Sequence, residues 1–433
     1  MMRGALLPNM GAEEGDDWAA YEREPSVRAA ARLWSLLFAS EAVLHHPVAA
    51  DRTSWTSETC EAVWPATLGA APREPAFPWL AASERPTAWL NTTSLEAMAV
   101  ERFGQPPAGP AADLVERLHD KSFAIESARA LDLLPRPLDA MIRVLDRDAL
   151  DEPDRLVAEL DVALAQWPDW TGRRYTLKPR FGSSGRGRVG GAETLDTPGV
   201  RGALPRLARL GGAILEPWLD RGTDLSVVLH LASPTSESLG TTILGSLEMI
   251  TTPSGLYRGH CGEIDARGRV FSGHPFDEEL RGDAAAVAQR AAGLGFLGPC
   301  GVDAFTYTQA DAEAASGEPR ERLRSVVEFN ARATMGLVAL GLVRRALPRV
   351  RESLDLVPGT RRAFLQTFVP PNEGARREQL VERCGADAQV IDLARPESAD
   401  DPAGGASLEP TPILVFGAEK NALRDAHREV LGC

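Results

Sequence analysis

The spacing of apolar positions changes several times along the chain, and each change marks an element. Gly4 to Met10 reads as a strand, Ser26 to Val43 carries helical periodicity, and Ala88 to Asn91 reads as a strand running into a helix capped by Thr93 or Ser94. The Pro-rich stretches Pro65 to Pro78 and Pro106 to Pro110 read as loops, the second as a domain boundary. A helix from Asp113 carries Leu114, Leu118, Phe123 and Ala124 and stops at Leu133 to Pro137; another spans Asp154 to Trp167. A dense run of short strands follows: Tyr175 to Pro179, Ala213 to Leu215, Leu225 to Leu231, Thr241 to Thr251, Val302 to Tyr307 and Ser325 to Phe329. Thr308 to Arg324 reads as a long solvated hairpin tip between the last two. Farther on, strands are expected at Phe364 to Val369 and Ile413 to Phe416 and a helix at Ala422 to Leu431, with a disordered stretch at Arg395 to Pro412. No internal repeat is visible, and the pattern predicts a mixed α/β (α+β) fold.

A length of 433 residues allows two or three domains at about 150 residues each. The hydrophobic share of 44% and charged share of 25% are those of an ordinary globular chain. A net charge of −14 repels nucleic acid and anionic lipid, so neither is expected as a main partner. The N-terminal stretch lacks the apolar core of a secretion signal, and no apolar run reaches the roughly 18 residues of a membrane span. Five widely spaced cysteines without a C-x-x-C pair suit a reducing, cytoplasmic setting. Of 47 basic residues only Lys121, Lys178 and Lys420 are lysines, so each retained lysine hints at a site needing a compact ammonium rather than a planar fork.

Three stretches carry candidate chemistry. The first runs from Tyr175 to Gly191, where Gly182, Ser183, Ser184, Gly185, Gly187, Gly190 and Gly191 free the backbone to present N–H groups, and Lys178, Arg180, Arg186 and Arg188 supply positive charge. That composition suits a polyphosphate held under a flap of strand, glycine-rich tip and returning strand; a plain mobile hairpin is the alternative. The formal G-x-G-x-x-G at Gly185 to Gly190 lacks the helix that a dinucleotide site requires, since Gly191, Pro198 and Gly199 oppose one. The second stretch, Ile214 to Val228, reads as a buried strand, a polar crossing at Glu216 to Asp220, and a strand from Asp224; apolar side chains beside backbone amides suit adenine, and an acid nearby suits ribose. The third is the pair Gly301 to Tyr307 and Val326 to Arg332. Alternation places Glu328 and Asn330 on one strand face, and pairing through the tip brings Asp303 beside them, a hard-oxygen set fit for Mg2+. Arg332 follows on the same face as a donor to a phosphoryl group or a carboxylate.

In this order the stretches resemble the ATP-grasp superfamily of carboxylate–amine ligases, over roughly Leu118 to Gly336. The resemblance implies an N-terminal α/β domain at 1–115, a core of two α+β subdomains at 116–346 with a lid at about 140–215, and a C-terminal extension at 347–433 that either completes the substrate pocket or mediates a homodimer. It also implies that ATP is held by Lys121, Lys178 and the loop Gly182, Ser183, Ser184, Gly185 and Gly187. Adenosine falls to Glu216, Trp218, Leu219 and Asp224, and Mg2+ (or Mn2+) to Asp303, Glu328 and Asn330. Lys178 and Arg332 act in catalysis. Two of the three lysines fall where this family uses lysine on phosphates. The implied reaction activates a carboxylate as an acyl phosphate and joins it to an amine, both small molecules. Transfer of phosphate to a hydroxyl and non-catalytic ATP sensing are the alternatives. Arg258 and Arg332 are candidate substrate contacts, although Tyr257 to Glu263 and His274 read more readily as surface loop than as contact.

Overall fold

The computed structural model describes residues 4–14, 24–47, 55–81, 83–182, 187–234, 240–252, 255–309, 320–371, 373–394 and 409–432. Within them the chain forms three sheets. A small N-terminal sheet has the order β3-β2-β1-β4, from β1 (Ala5–Leu7), β2 (Val43–Pro47), β3 (Trp55–Thr59) and β4 (Thr87–Ala88), with β1 parallel to β2 and to β4. A second four-stranded sheet, antiparallel throughout, runs β5-β8-β6-β7, from β5 (Arg143–Asp146), β6 (Arg174–Pro179), β7 (Val189–Ala192) and β8 (Gly212–Pro217). The third has nine strands in the order β14-β13-β9-β10-β12-β11-β15-β17-β16. They are β9 (Arg221–Leu231), β10 (Thr241–Thr251), β11 (Tyr257–Asp265), β12 (Val270–Phe271), β13 (Gly298–Gln309), β14 (Arg320–Asn330), β15 (Arg361–Val369), β16 (Gln389–Asp392) and β17 (Thr411–Gly417).

The mixed α/β class expected from the pattern is the class observed, and most strand centres stand where alternation placed them. The differences have local causes. Tyr257 to Asp265 is a buried strand, not a surface loop. Its glycines hid it: a Cβ at Gly259 would stand 2.1 Å from the Gln366 carbonyl oxygen, so glycine is what lets β15 approach. Pro198 and Gly199 open a helix, Pro198–Arg209, instead of blocking one; proline's missing N–H costs nothing in the first turn, and the Thr197 hydroxyl accepts from Val200 N. The helix at Thr93–Phe103 is capped by Thr92, whose side chain accepts from Leu95 N, rather than by Thr93 or Ser94. The helix in the Ser26 to Val43 stretch covers only Pro25–Ser35. The stretch from Asp113 breaks into Ala112–His119 and Lys121–Ala130, because Asp120 turns its carboxylate back onto Ser122 N. The hairpin arms reach Gln309 and Arg320, so Thr308↔Glu321 and Gln309↔Arg320 are ladder pairs; residues 310–319, like 395–408, lie outside the described residues.

One face of the nine-stranded sheet carries the helices Asp277–Gly293 and Lys420–Leu431. Ser246 hydrogen-bonds Asp277 at 2.6 Å there, and Glu248 pairs with Lys420 and Arg424 at 2.9 and 3.0 Å. The opposite face is packed by the helix Met335–Val350, with Gly336 seated against Val228 and Leu247. That helix also carries the N-terminal unit: Gly341 leaves room for Leu37, whose Cγ would lie 2.6 Å from any Cβ placed there.

Candidate functional site

Register fixes which side chains share the face packed by Met335–Val350. Phe305, Asp224, Met249, His260 and Gln366 are directly opposite one another on β13, β9, β10, β11 and β15, and so form one row. A parallel row two residues along comprises Glu328, Asp303, Ser226 and Leu247. Between this floor and the second sheet lies a cavity of about 730 Å3, within the range of a small-molecule site.

The acids of the second row stand at its edge. Asp303 and Glu328 face each other across β13 and β14, and Asn330 Nδ2 donates to Asp303 Oδ2 at 2.9 Å. Burial and the neighbouring Glu328 charge push Asp303 up to about 6. Burial opposes ionisation of Glu328 as well, but Lys121 and Lys178 outweigh it and lower its pKa. Lys121 reaches in from the first turn of its helix, 2.8 Å from Glu328 Oε1 and 2.5 Å from the Gly182 carbonyl oxygen. Among the described residues no three His, Cys, Asp or Glu side chains gather as a metal cluster. Two carboxylates and an amide oxygen are nonetheless a set that Mg2+ accepts when phosphate and water complete the shell.

The second sheet supplies the roof. Lys178 on β6 and Glu216 on β8 are diagonal neighbours, with Nζ 2.8 Å from Oε1. Arg324, buried on β14, spans from the floor to Glu216 Oε2 at 2.8 Å. Burial would raise Glu216, yet Arg324 and Lys178 pull it down to about 2, while burial lowers the pKa of Lys178 against the Glu216 charge. Glu216 therefore turns its carboxylate to two cations instead of leaving it open toward an adenosine. The crossing after Pro217 carries Trp218, whose amide donates to the Arg174 carbonyl at 2.8 Å, and the buried Leu219. Asp224 accepts from Thr251 Oγ1 at 2.6 Å and pairs with Arg221 at 3.1 Å.

Lys121, Lys178, Gly182, Glu216, Trp218, Leu219 and Asp224 all line the one cavity, as do Asp303, Glu328, Asn330, Arg332 and Arg258. Gly187 stands outside the lining, in a left-handed turn (φ +72°) beside Arg206. Ser183, Ser184, Gly185 and Arg186 lie outside the described residues. The returning strand β7 pairs antiparallel with β6, as expected for the two strands of the flap. Arg188 at its foot lies over the Trp218 ring, 4.5 Å from the centroid.

Three contributors escaped the sequence reading. Arg324 falls within the stretch read as hairpin tip, and its place just before the apolar run from Ser325 was the available signal. Glu13, in a 3-10 turn of the N-terminal unit, lies 2.6 Å from Arg332 Nε. Burial opposes its ionisation, but Arg332 and His119 prevail and lower its pKa; no local pattern announces such a partner. Arg332 also donates from Nη1 to the Ala333 carbonyl at 2.8 Å and lies over Trp89. Gln366 is the third contributor and carries the first row onto β15.

No family model and no curated protein matches this chain. Among solved structures it is similar to an N5-carboxyaminoimidazole ribonucleotide synthetase in complex with ADP, at 17% identity over 81% of this chain and 80% of that one, with a TM-score of 0.47. It is also similar to a biotin carboxylase from Campylobacter jejuni, at 11% identity over 81% and 74% with a TM-score of 0.45. A third is the N5-carboxyaminoimidazole synthetase from Staphylococcus aureus complexed with ADP, at 10% identity over 79% of each chain with a TM-score of 0.44.

Proposed function

We propose that this chain is an ATP-grasp ligase that activates a carboxylate with MgATP and joins it to an amine. The observation that carries the reading is the convergence of segments far apart in sequence. Lys121, the β6 flap strand with Lys178, the crossing at Trp218 and Leu219, and the acids of β13 and β14 border one cavity between two sheets. That is the arrangement implied by the motif order.

Each group then has a physical task. Lys178 and Lys121 face the phosphates as compact charges, each held by a carboxylate so that little side-chain entropy remains to be lost on binding. Trp218 and Leu219 receive adenine, and Asp224 accepts the ribose hydroxyls from its place in the floor. Asp303, Glu328 and Asn330 would hold Mg2+ or Mn2+, which when bound neutralises charge on the transferring phosphate. Arg332, fixed by Glu13 and the Ala333 carbonyl, lines the cavity as a cationic donor to the transferring group or to the substrate carboxylate. The carboxylate oxygen bonds to the γ-phosphorus as the bond to the β-bridging oxygen breaks, and ADP departs. The amine nitrogen then bonds to the acyl carbon and inorganic phosphate leaves. The flap's task is to keep water from the acyl phosphate.

Residence in the cytoplasm, where ATP is available, suits the free thiols of Cys60, Cys261, Cys300 and Cys384. Among the described residues no helix is long and apolar enough to cross a membrane. The test is ADP release over a panel of carboxylates and amines with product analysis: a new amide supports the ligase, a phosphate ester indicates phosphotransfer to a hydroxyl, and nucleotide binding without turnover indicates a sensor.

A further inference from the structure

Away from the acids, the first row carries His260 and Gln366, and Tyr257, three residues before His260 on β11, meets them both; no step above assigns these three polar side chains a task. Tyr257 Oη lies 2.8 Å from His260 Nδ1 and 2.9 Å from Gln366 Oε1. Gln366 is fully buried and His260 is 2% exposed, while Tyr257 and His260 line the cavity. Gln366 comes from β15, so this end of the cavity is completed by the C-terminal strands.

Proton bookkeeping gives the chain a direction. Gln366 presents Oε1 to Tyr257 and leaves its own Nε2 without a hydrogen-bond partner among the described residues; in that orientation the amide oxygen only accepts, so Tyr257 donates its single hydroxyl proton to Gln366. Toward His260 the phenol oxygen is then an acceptor, which places the ring proton on Nδ1 and leaves a lone pair on Nε2. Nε2 has no hydrogen-bond partner among the described residues. Burial lowers the imidazole pKa to about 3, so the ring is neutral and a cationic donor meets no repulsion. A bare acceptor in a cavity wall is costly when dry and is satisfied by a donor on a ligand. Met249, beside His260 in the row, and Phe368, on the cavity wall, supply apolar surface next to it.

We propose that His260, held as its Nδ1–H tautomer by Tyr257 and Gln366, is a specificity-determining residue that accepts at Nε2 a hydrogen bond from an amine or ammonium group of a substrate with an apolar body. Three strand spacings, about 14 Å, separate β11 from β13, which carries Asp303, so the group read by His260 is remote from the reacting atoms and the substrate is of amino-acid or short-peptide size. The proposal rests on the ligase reading for the reaction this substrate undergoes; the recognition itself is testable apart from turnover.

The experiment uses the full chain. Labelling of histidine with 15N reports the tautomer directly: a proton on His260 Nδ1 is expected, and one on Nε2 overturns the proposal. Calorimetry with magnesium and a non-hydrolysable ATP analogue then compares amino acids and short peptides with their N-acetylated counterparts. Wild type is expected to prefer the free amine about tenfold for its best ligand. His260→Ala, and to a smaller extent Tyr257→Phe, should reduce that preference toward one while analogue affinity stays unchanged. A panel with no preference for the free amine, or a preference intact in both variants, overturns the proposal. Should His260→Ala fail to fold, Tyr257→Phe, which removes a single oxygen, decides alone. Failure of wild type to bind the analogue strikes the nucleotide reading instead, and the tautomer result stands apart from it.

Discussion

The two cavity lysines keep opposite company. On the roof, Lys178 and Arg324 share the single charge of Glu216, which leaves one positive charge in surplus. At the floor's edge, Lys121 faces Glu328 and Asp303, which with both acids ionised leaves one negative charge in surplus. Both lysines are buried and both make a 2.8 Å ion pair, so pairing alone does not distinguish them. The difference lies in the third member of each group. A cation added beside Glu216 makes an end that attracts anions; an acid added beside Glu328 makes an end that attracts cations. A metal–polyphosphate complex is such a dipole, and the side chains of the cavity are polarised to match it.

Removing the acid end has the largest expected effect. Replacing Glu328 and Asn330 together by Ala should lower magnesium-dependent turnover roughly 1,000-fold and abolish Mn2+ binding followed by paramagnetic resonance; a normal metal response contradicts the ligand set. Lys178→Ala attacks the opposite end, with turnover expected to fall roughly 100- to 1,000-fold while circular dichroism stays native. Unchanged ADP release there would remove the flap from the site. Glu216→Gln leaves Lys178 and Arg324 buried without their counter-charge and should cost about 3–5 kcal/mol in urea unfolding at pH 7.

The same carboxylate sets an acid limit. Its folded pKa of about 2 lies below the ordinary 4.5, so its contribution is present above 4.5 and is lost as pH falls through that window toward 2. Up to about 3 kcal/mol of stability should disappear across it, and Glu216→Gln should flatten this part of the pH profile. The smallest effect is expected at the flap's foot. Arg188→Ala removes the cation over Trp218 and should weaken nucleotide binding by about 0.5–2 kcal/mol, measured by tryptophan fluorescence.

Legibility from the sequence followed the range of each interaction. Asp303, Glu328 and Asn330 were found because alternation is local and apolar neighbours made their charge conspicuous; the register Asp303↔Glu328 then followed from simple hairpin pairing. Glycines between Lys178 and Gly191 announced the flap for the same reason. Where glycine instead serves a neighbour's backbone, as at Gly259 against Gln366, the signal inverted and a central strand looked like a loop. Proline misled at Pro198 because its cost depends on position within a helix, which composition does not disclose. Glu13 and Gln366 were out of reach, since each meets its partner across more than a hundred residues of chain.

The scarcity of lysine gives the molecule a built-in footprinting assay. Lys121, Lys178 and Lys420 are the chain's ε-amines, and each is tied to a carboxylate: Glu328, Glu216 and Glu248. Lys420 sits across the sheet from the cavity, so a mild acylating reagent read by peptide mass spectrometry carries its own reference. Labelling of Lys121 and Lys178 relative to Lys420 would time the opening of the cleft, and a ligand that closes it would silence two peptides and spare the third.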